Sequence, residues 1–522
     1  MVNIMNKWNN GLLPAANLSL GSEGNIKLGT YHLLHLIPQA LRVGRKLMKA
    51  HMHVLGKTGS GKSYFLAGLF VSLYKAGMPV TLVDPHGDLA ELVLALLVQE
   101  GVYQDKTAYD RLVYLDLPEA DARELYLPFN FLSQPYNDHA MAELVSEACK
   151  RAWPELATGA PTFENILKHS IIVLRQNNLP LTELANLLTD TDYRNQLLEQ
   201  VTDTQVVRFF TQRMDKWGRD GSTMKESTLN RADLLTLTPL LRNSLGNARN
   251  SLDFRSILDQ GKSVIINLAI PYPDARRLFG CLLTVGMESA ALSRANTDAA
   301  HRGPTHHLLL DEFSQFMAQS ETSLTRMLSE TRKYGLFCVM AHQNWSQADE
   351  RLKGALQNVG LEFIFKSGRM DAEYSAKLMG WVNPMRVKHL IKEEEGGKRT
   401  HPSYAPMQEQ WERIIQQIQY LKTGHAFVRL PNDTVKKIKT NKLPKRTITE
   451  GMLASVKEEY LLRYFEKAPE MNERARQSLE GIGIRKPGGG RITRVSPEGP
   501  VETTVEEESA HPVRRTVDVF SP

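Results

Sequence analysis

The chain has 522 residues with a formal charge of +6, long enough for about three domains at roughly 150 residues each. With 42% apolar and 23% charged residues it has the composition of an ordinary globular protein, not of a collagen-like or disordered one. Cys149, Cys281 and Cys338 are far apart and form no C-x-x-C pair, which argues against a disulfide framework or a zinc site.

The N-terminus, Met1-Val-Asn-Ile-Met-Asn-Lys-Trp8, has neither the cationic start nor the apolar core of a signal peptide. The richest apolar stretch, Leu89 to Val98, carries Glu91 and falls far short of the roughly 20 residues that cross a bilayer. A cytoplasmic protein with no transmembrane segment of its own is the expectation.

Residues 1–50 mix short alternating segments with turn residues, such as Asn17-Leu-Ser-Leu and Asn25-Ile-Lys-Leu-Gly, and predict one or two small strands. From 51 to 134 short apolar runs alternate with helical stretches: Met52–Leu55, Val80–Val83 and Leu112–Leu115. The alternation resumes over 249–447, with Val264–Leu268, Leu308–Leu310, Leu336–Met340 and Phe363–Phe365. Such runs read as strands buried on both faces of a mostly parallel α/β sheet. Between them, residues 135–248 keep helical spacing and predict an all-helical insertion, with polar Asp215–Gly221 as a connecting loop. His425–Leu430 and Thr434–Thr440 flank Pro431-Asn-Asp, a hairpin signature. A helical extension over 448–486 and a disordered tail over 487–522, rich in Pro, Glu and Arg, complete the chain.

The segment Gly56-Lys57-Thr58-Gly59-Ser60-Gly61-Lys62-Ser63 fits G-x-x-x-x-G-K-[ST] and lies between an apolar run and a helical pattern opening at Tyr64. Glycines let successive N–H groups curl toward phosphate oxygens at a helix N-terminus. Lys62 is then expected at the β- and γ-phosphates and Ser63 on Mg²⁺, with Gly56 through Tyr64 as the nucleotide-binding set. Gly261-Lys-Ser shares three letters with the motif, but Ser256 stands where the first glycine belongs; it reads as a turn into a strand.

The second half of such a site is an apolar strand ending in acid, and His306-His-Leu-Leu-Leu-Asp311-Glu312 supplies it. Asp311 is expected to hold Mg²⁺ and Glu312 to activate the attacking water. At the end of the next apolar run, Gln343 is a candidate sensor of the γ-phosphate, with a strand-end amide bonding nearby backbone as the plain alternative. Arg332, and less so Arg369, are candidates for an arginine donated to a neighbouring subunit's phosphates. Asp88 reads as the cap of the helix that begins at Leu89, and Asp84 as a possible neighbour of the metal shell. His51, His53, His306 and His307 flank or enter strands without acid or Cys at ligand spacing, and read as structural.

In this order, Gly56–Ser63, Val80-Thr-Leu-Val-Asp84-Pro-His-Gly-Asp88, Leu240-Leu-Arg-Asn-Ser-Leu-Gly, Gly261-Lys-Ser-Val-Ile-Ile-Asn, Leu310-Asp-Glu-Phe, Arg332-Lys-Tyr-Gly and Ala341-His-Gln resemble the HerA/FtsK class of P-loop ATPases. The nearest branch is similar to the TraG/TraD-like conjugative coupling ATPases of type IV secretion, over about residues 45–440. The resemblance implies a RecA-like P-loop NTPase core with an inserted all-helical domain, ATP and Mg²⁺ as cofactors, a homo-hexameric ring, and ATP-driven movement of DNA. It also implies a relaxase or membrane-bound secretion partner that would recruit the chain to the inner face of the membrane, since coupling proteins usually carry transmembrane helices.

For DNA, residues 377–447 hold 15 Lys or Arg against 6 Asp or Glu, with Lys436 to Arg446 as the centre of the excess. Backbone contact without base reading is the DNA-binding mode this suggests, against a solvated hairpin edge guarded by lysine. Two other functions stay open: an ATPase energising protein secretion or pilus assembly, and a nucleotide-dependent scaffold that delivers a relaxase or effector without pumping.

Overall fold

The computed structural model describes residues 26–33, 37–153, 155, 161–214, 219–298, 301–317, 327–348, 350–356, 359–392 and 400–468. The expectations for residues 1–25, for residues 215–218 of the expected loop, for the part of the helical extension over 469–486 and for the tail over 487–522 lie outside them.

Seven strands form a parallel array: β3 (Met52–Leu55), β4 (Val80–Asp84), β5 (Leu112–Asp116), β7 (Ser263–Asn267), β8 (His306–Leu310), β9 (Leu336–His342) and β10 (Leu361–Ile364). The predicted apolar runs thus all become strands, within one or two residues of the expected limits. Four antiparallel strands extend the sheet beyond β10: β1 (Ile26–Leu33), β2 (Ile37–Val43), β13 (His425–Arg429) and β14 (Val435–Thr440), while β6 (Leu125–Tyr126) and the pair β11 (Val387–Lys392) and β12 (Thr400–Tyr404) lie in small separate sheets. The resulting 11-stranded order is β2-β1-β14-β13-β10-β3-β9-β8-β4-β7-β5. β14 is hydrogen-bonded on both sides, to β13 and to β1, so its lysines do not guard a free edge. Side chains alternate along this interior strand: Val435 enters one core and Ile438 the other, while Lys437 and Lys439 are exposed and Lys436 is partly buried.

The strands are buried on both faces, and alternate residues enter two different cores. Val83, Val113, Val264 and Leu308 join one core. Leu82, Tyr114, Ile265 and Leu309 join the other. The first core continues without a break into the helical region, where Asp138–Ala152 and Pro161–Gln176 carry Val145, Ile166 and Ile171. The described residues of 138–245 contain helices and no strand. Arg219–Gly221, expected in a loop, open the helix Arg219–Leu237, because Gly221 carries only a modest helix penalty inside a long run.

Within the described part of 448–486 a helix spans Glu450–Tyr464, followed by the short strand Glu466–Lys467. It closes the exposed side of edge strand β5: the Tyr460 hydroxyl donates to the Leu112 carbonyl at 2.6 Å, and Lys457 lies 3.2 Å from Asp116.

Candidate functional site

The order of the sheet positions the site. β8 and β9 both insert between β3 and β4, so the phosphate loop after β3, the acids after β8 and Gln343 after β9 meet at one carboxyl edge, the usual place for a ligand in an open α/β sheet. The loop is tied into that edge by Gly56 N–H to the His342 carbonyl at 3.2 Å and Lys57 N–H to the Lys366 carbonyl at 3.0 Å.

Within the loop, Gly59 and Gly61 adopt φ of 75° and 98°, a region that favours glycine. The helix Lys62–Lys75 begins directly after Gly61, so the N–H groups of its first turn lack intrahelical partners and face outward as an anion cradle. Ser60 and Lys62 are buried; Tyr64 is exposed.

Lys62 is the charge at the centre. Its Nζ lies 2.5 Å from Glu312 Oε1 and 3.3 Å from Asp311 Oδ1, with all three side chains nearly buried. Glu312 itself sits at φ 47° and ψ 51°, a left-handed conformation that costs a non-glycine residue roughly 1–2 kcal/mol and turns its carboxylate back toward the loop. Thr58 Oγ1 donates to Gln343 Oε1 at 3.2 Å, which brings the strand-end amide onto the same loop.

The cleft beside these groups has a volume of about 710 Å³ and is lined by Lys57–Gly59, Gly61–Tyr64, Asp311, Glu312 and Gln343. Asp311 Oδ1 and Glu312 Oε2 are buried there without a hydrogen-bond partner among the described residues. Hard carboxylate oxygens that accept no hydrogen bond, next to a helix N-terminus that attracts phosphate, suit Mg²⁺ bound with a nucleotide.

The remaining candidates are Asp84, which also lines the cleft, Asp88, Arg369 and Arg332. Asp84, not Asp88, caps the second helix, Asp88–Gln99: its carboxylate accepts from His86 N–H at 2.9 Å and Ala90 N–H at 2.8 Å. Asp88 already belongs to the first turn and is exposed. Burial, followed by the nearby charge of Asp311, raises the Asp84 pKa against the lowering effect of those bonds. Arg369 is bound within its own chain, bidentate to Glu412 at 2.6 and 2.7 Å and also to Glu373. Arg332 lies in the turn Thr331–Tyr334 before β9, at the far end of the strand from Gln343, with its side chain exposed. It does not reach the site of its own chain.

The histidines form buried contacts. His51 accepts from the Cys338 N–H at 3.0 Å and donates to the Leu328 carbonyl at 2.9 Å. His53 lies 2.7 Å from His342 and 3.2 Å from Glu362, whose other oxygen receives Arg429. Burial, then the neighbouring His53 and Lys62, hold the His342 pKa well below the usual histidine range.

Two wall segments escaped the sequence reading. Thr423 and Gly424, at the foot of the hairpin, bond the phosphate loop. Pro444 and Arg446 line the cleft, and Gln99 holds their segment through the Lys445 carbonyl and the Thr447 N–H, both at 3.0 Å. A glycine just before a strand was the only available signal for Gly424; for Arg446 there was none, since it reads as part of a basic run.

A phosphate loop and an acid-ended strand at one edge of a mostly parallel sheet define a RecA-like P-loop nucleoside triphosphatase. The family model "Helicase HerA, central domain" matches residues 26–284, and "TraM recognition site of TraD and TraG" matches residues 305–416. The chain belongs to the HerA/FtsK class of P-loop ATPases, in its TraG/TraD-like branch. Among solved structures, the bacterial conjugative coupling protein TrwBΔN70 in an unbound form is similar with a TM-score of 0.53 and 17% identity, over 81% of this chain and 92% of that one. The plasmid coupling protein TrwB in complex with ADP and Mg²⁺ gives 0.53 and 15%, over 84% and 96%. VirB4 of Thermoanaerobacter pseudethanolicus gives 0.50 and 14%, over 83% and 100%. No curated protein matches the chain by sequence. Among the described residues no helix is long and apolar enough to cross a membrane.

Proposed function

We propose that the chain is an ATP-hydrolysing DNA translocase or coupling ATPase that moves or delivers DNA in conjugative, type IV secretion-type transfer. The observation that carries the reading is the meeting of Lys62 with Asp311 and Glu312 at the sheet edge, in a chain matched by both a HerA and a TraD/TraG family model.

In this reading the loop from Gly56 to Tyr64 receives the phosphates, and Lys62 exchanges its carboxylate partners for β- and γ-phosphate oxygens. Ser63 and Asp311 hold Mg²⁺, which supplies charge neutralisation at the phosphates. Glu312 takes the proton of the attacking water, and Gln343 orients that water beside the γ-phosphate. Arg332, exposed and remote from its own site, serves the neighbouring protomer of a homo-hexamer, a heterologous ring that closes on itself. DNA is held through its backbone by the lysines of β14 and the segment after it, and a relaxase or membrane-bound secretion partner brings the complex to its channel.

The test is ATPase activity with and without single- and double-stranded DNA, for the wild type, Lys62→Ala and Glu312→Gln. Stimulation by DNA that disappears in both variants is expected. A wild-type rate indifferent to DNA sinks the translocase reading and favours an ATPase that energises protein secretion or pilus assembly; ATP binding without turnover favours the scaffold that delivers a relaxase or effector.

A further inference from the structure

The phosphate loop is held from outside by a turn 364 residues further along the chain. Gly424 N–H donates to the Ser60 carbonyl at 2.9 Å. Thr423 Oγ1 donates to the Gly59 carbonyl at 3.2 Å. The approach is so close that a Cβ on Gly61 would stand 2.8 Å from Gly424 N. The turn is itself pinned to β14, because the Gly424 carbonyl accepts from the Thr440 N–H at 2.8 Å and from the Thr440 hydroxyl at 3.1 Å.

The consequence follows from peptide geometry. In a planar trans peptide the C=O and the next N–H point in opposite directions. A Ser60 carbonyl drawn outward to Gly424 therefore turns the Gly61 N–H inward, to the concave side of the loop. The Gly59 carbonyl drawn to Thr423 likewise fixes the Ser60 N–H inward, where it donates to the Lys57 carbonyl at 3.1 Å. Without the Gly424 bond the Ser60–Gly61 peptide would be free to flip, since Gly61 resists neither sign of φ; the Gly59–Ser60 peptide is braced on its other side by the Lys57 carbonyl.

We infer that Thr423 and Gly424 are positioning residues for nucleotide binding: Gly424 holds the Ser60–Gly61 peptide so that the Gly61 N–H faces the phosphate side, and Thr423 braces the turn that Ser60 N–H closes onto Lys57 behind it. The inference rests on the ATPase reading of the same site. It predicts a loss in ground-state affinity and little change in the chemical step, because Lys62, Glu312 and Asp311 are not touched by the turn.

The experiment measures Kd for a fluorescent ADP analogue with Mg²⁺, and KM and kcat for ATP, in the full chain carrying Thr423→Val, Thr423→Ser or Thr423→Val with Gly424→Ala. Removing one modest hydrogen bond weakens binding about fivefold, so Thr423→Val is expected to raise Kd and KM about fivefold with kcat within about twofold. Thr423→Ser, which keeps the hydroxyl, restores wild-type affinity, and the double variant, with a Cβ at φ 72°, loses more than about tenfold. Unchanged Kd in the double variant, or a fall confined to kcat, overturns the inference while leaving the ATPase reading intact. A wild type that binds no nucleotide overturns both.

Discussion

Lys62 Nζ stands 2.5 Å from Glu312 Oε1, although 250 residues separate the two in sequence. Each neutralises the other at a nearly buried position, where a lone charge would cost several kcal/mol. Phosphate and Glu312 compete for one ammonium, and that competition shapes the first prediction. Glu312→Gln lowers kcat at least about 100-fold, the usual contribution of a general base, while nucleotide affinity stays equal or becomes tighter. Equilibrium binding of a fluorescent nucleotide beside steady-state turnover checks it; a weaker-binding Glu312→Gln contradicts the competition.

Arg332 gives a prediction about assembly. Since it sits beyond reach of its own chain's site, Arg332→Ala leaves nucleotide affinity near wild type but abolishes most turnover. Mixing Arg332→Ala with Lys62→Ala protomers regenerates sites in which an intact loop faces an intact arginine, and activity partly returns. Absence of any recovery in mixed assemblies whose subunit exchange has been verified rules out donation in trans.

Stability falls with acid. Burial holds the His51 pKa at about 4 and the His306 pKa at about 3. The unfolded chain takes up a proton on each near pH 6.5, so between pH 6.5 and these values the unfolded state binds more protons and stability drops as pH falls. By pH 5 each histidine removes about 2 kcal/mol relative to pH 8. Urea unfolding from pH 8 to 5 is the measurement, and His51→Gln should flatten the slope.

A fourth prediction concerns the link between the helix Asp138–Ala152 of the helical region and the core helix Pro273–Leu292. Arg151 bonds Glu288 at 2.7 Å and Glu147 at 2.9 Å, and both Arg151 and Glu288 are buried. Arg151→Met removes the buried cation that pairs Glu288 and costs about 3–5 kcal/mol. The double change Arg151→Met with Glu288→Leu recovers most of that loss, because both charges leave together. Chemical denaturation of the three variants decides it: a double variant no more stable than the single one refutes the charge argument.

Much of the site was legible because it is local. Gly56 to Ser63 carries its chemistry within eight consecutive residues, and Asp311-Glu312 and Gln343 each close an apolar run. The seven parallel strands were equally plain, since burial on both faces leaves an uninterrupted apolar run. Asp84 and Asp88 show where that legibility stopped. Both are acids beside the same helix start, and the choice of cap depended on where the backbone placed Gly87, whose φ of 88° lets the strand-end carboxylate reach the Ala90 N–H.

The sequence by itself determined a phosphate loop, an acid-ended strand and a two-sided parallel sheet, because each follows from side chains adjacent along the chain. Only the tertiary structure decided that β14 is an interior strand, that Arg369 is bound at home while Arg332 is exposed, and that Thr423–Gly424 grips the loop. Those facts depend on which strands become neighbours, and neighbours are chosen by the packing of the whole sheet between two cores. Distant backbone groups meet only after that choice, so no short stretch of residues records it.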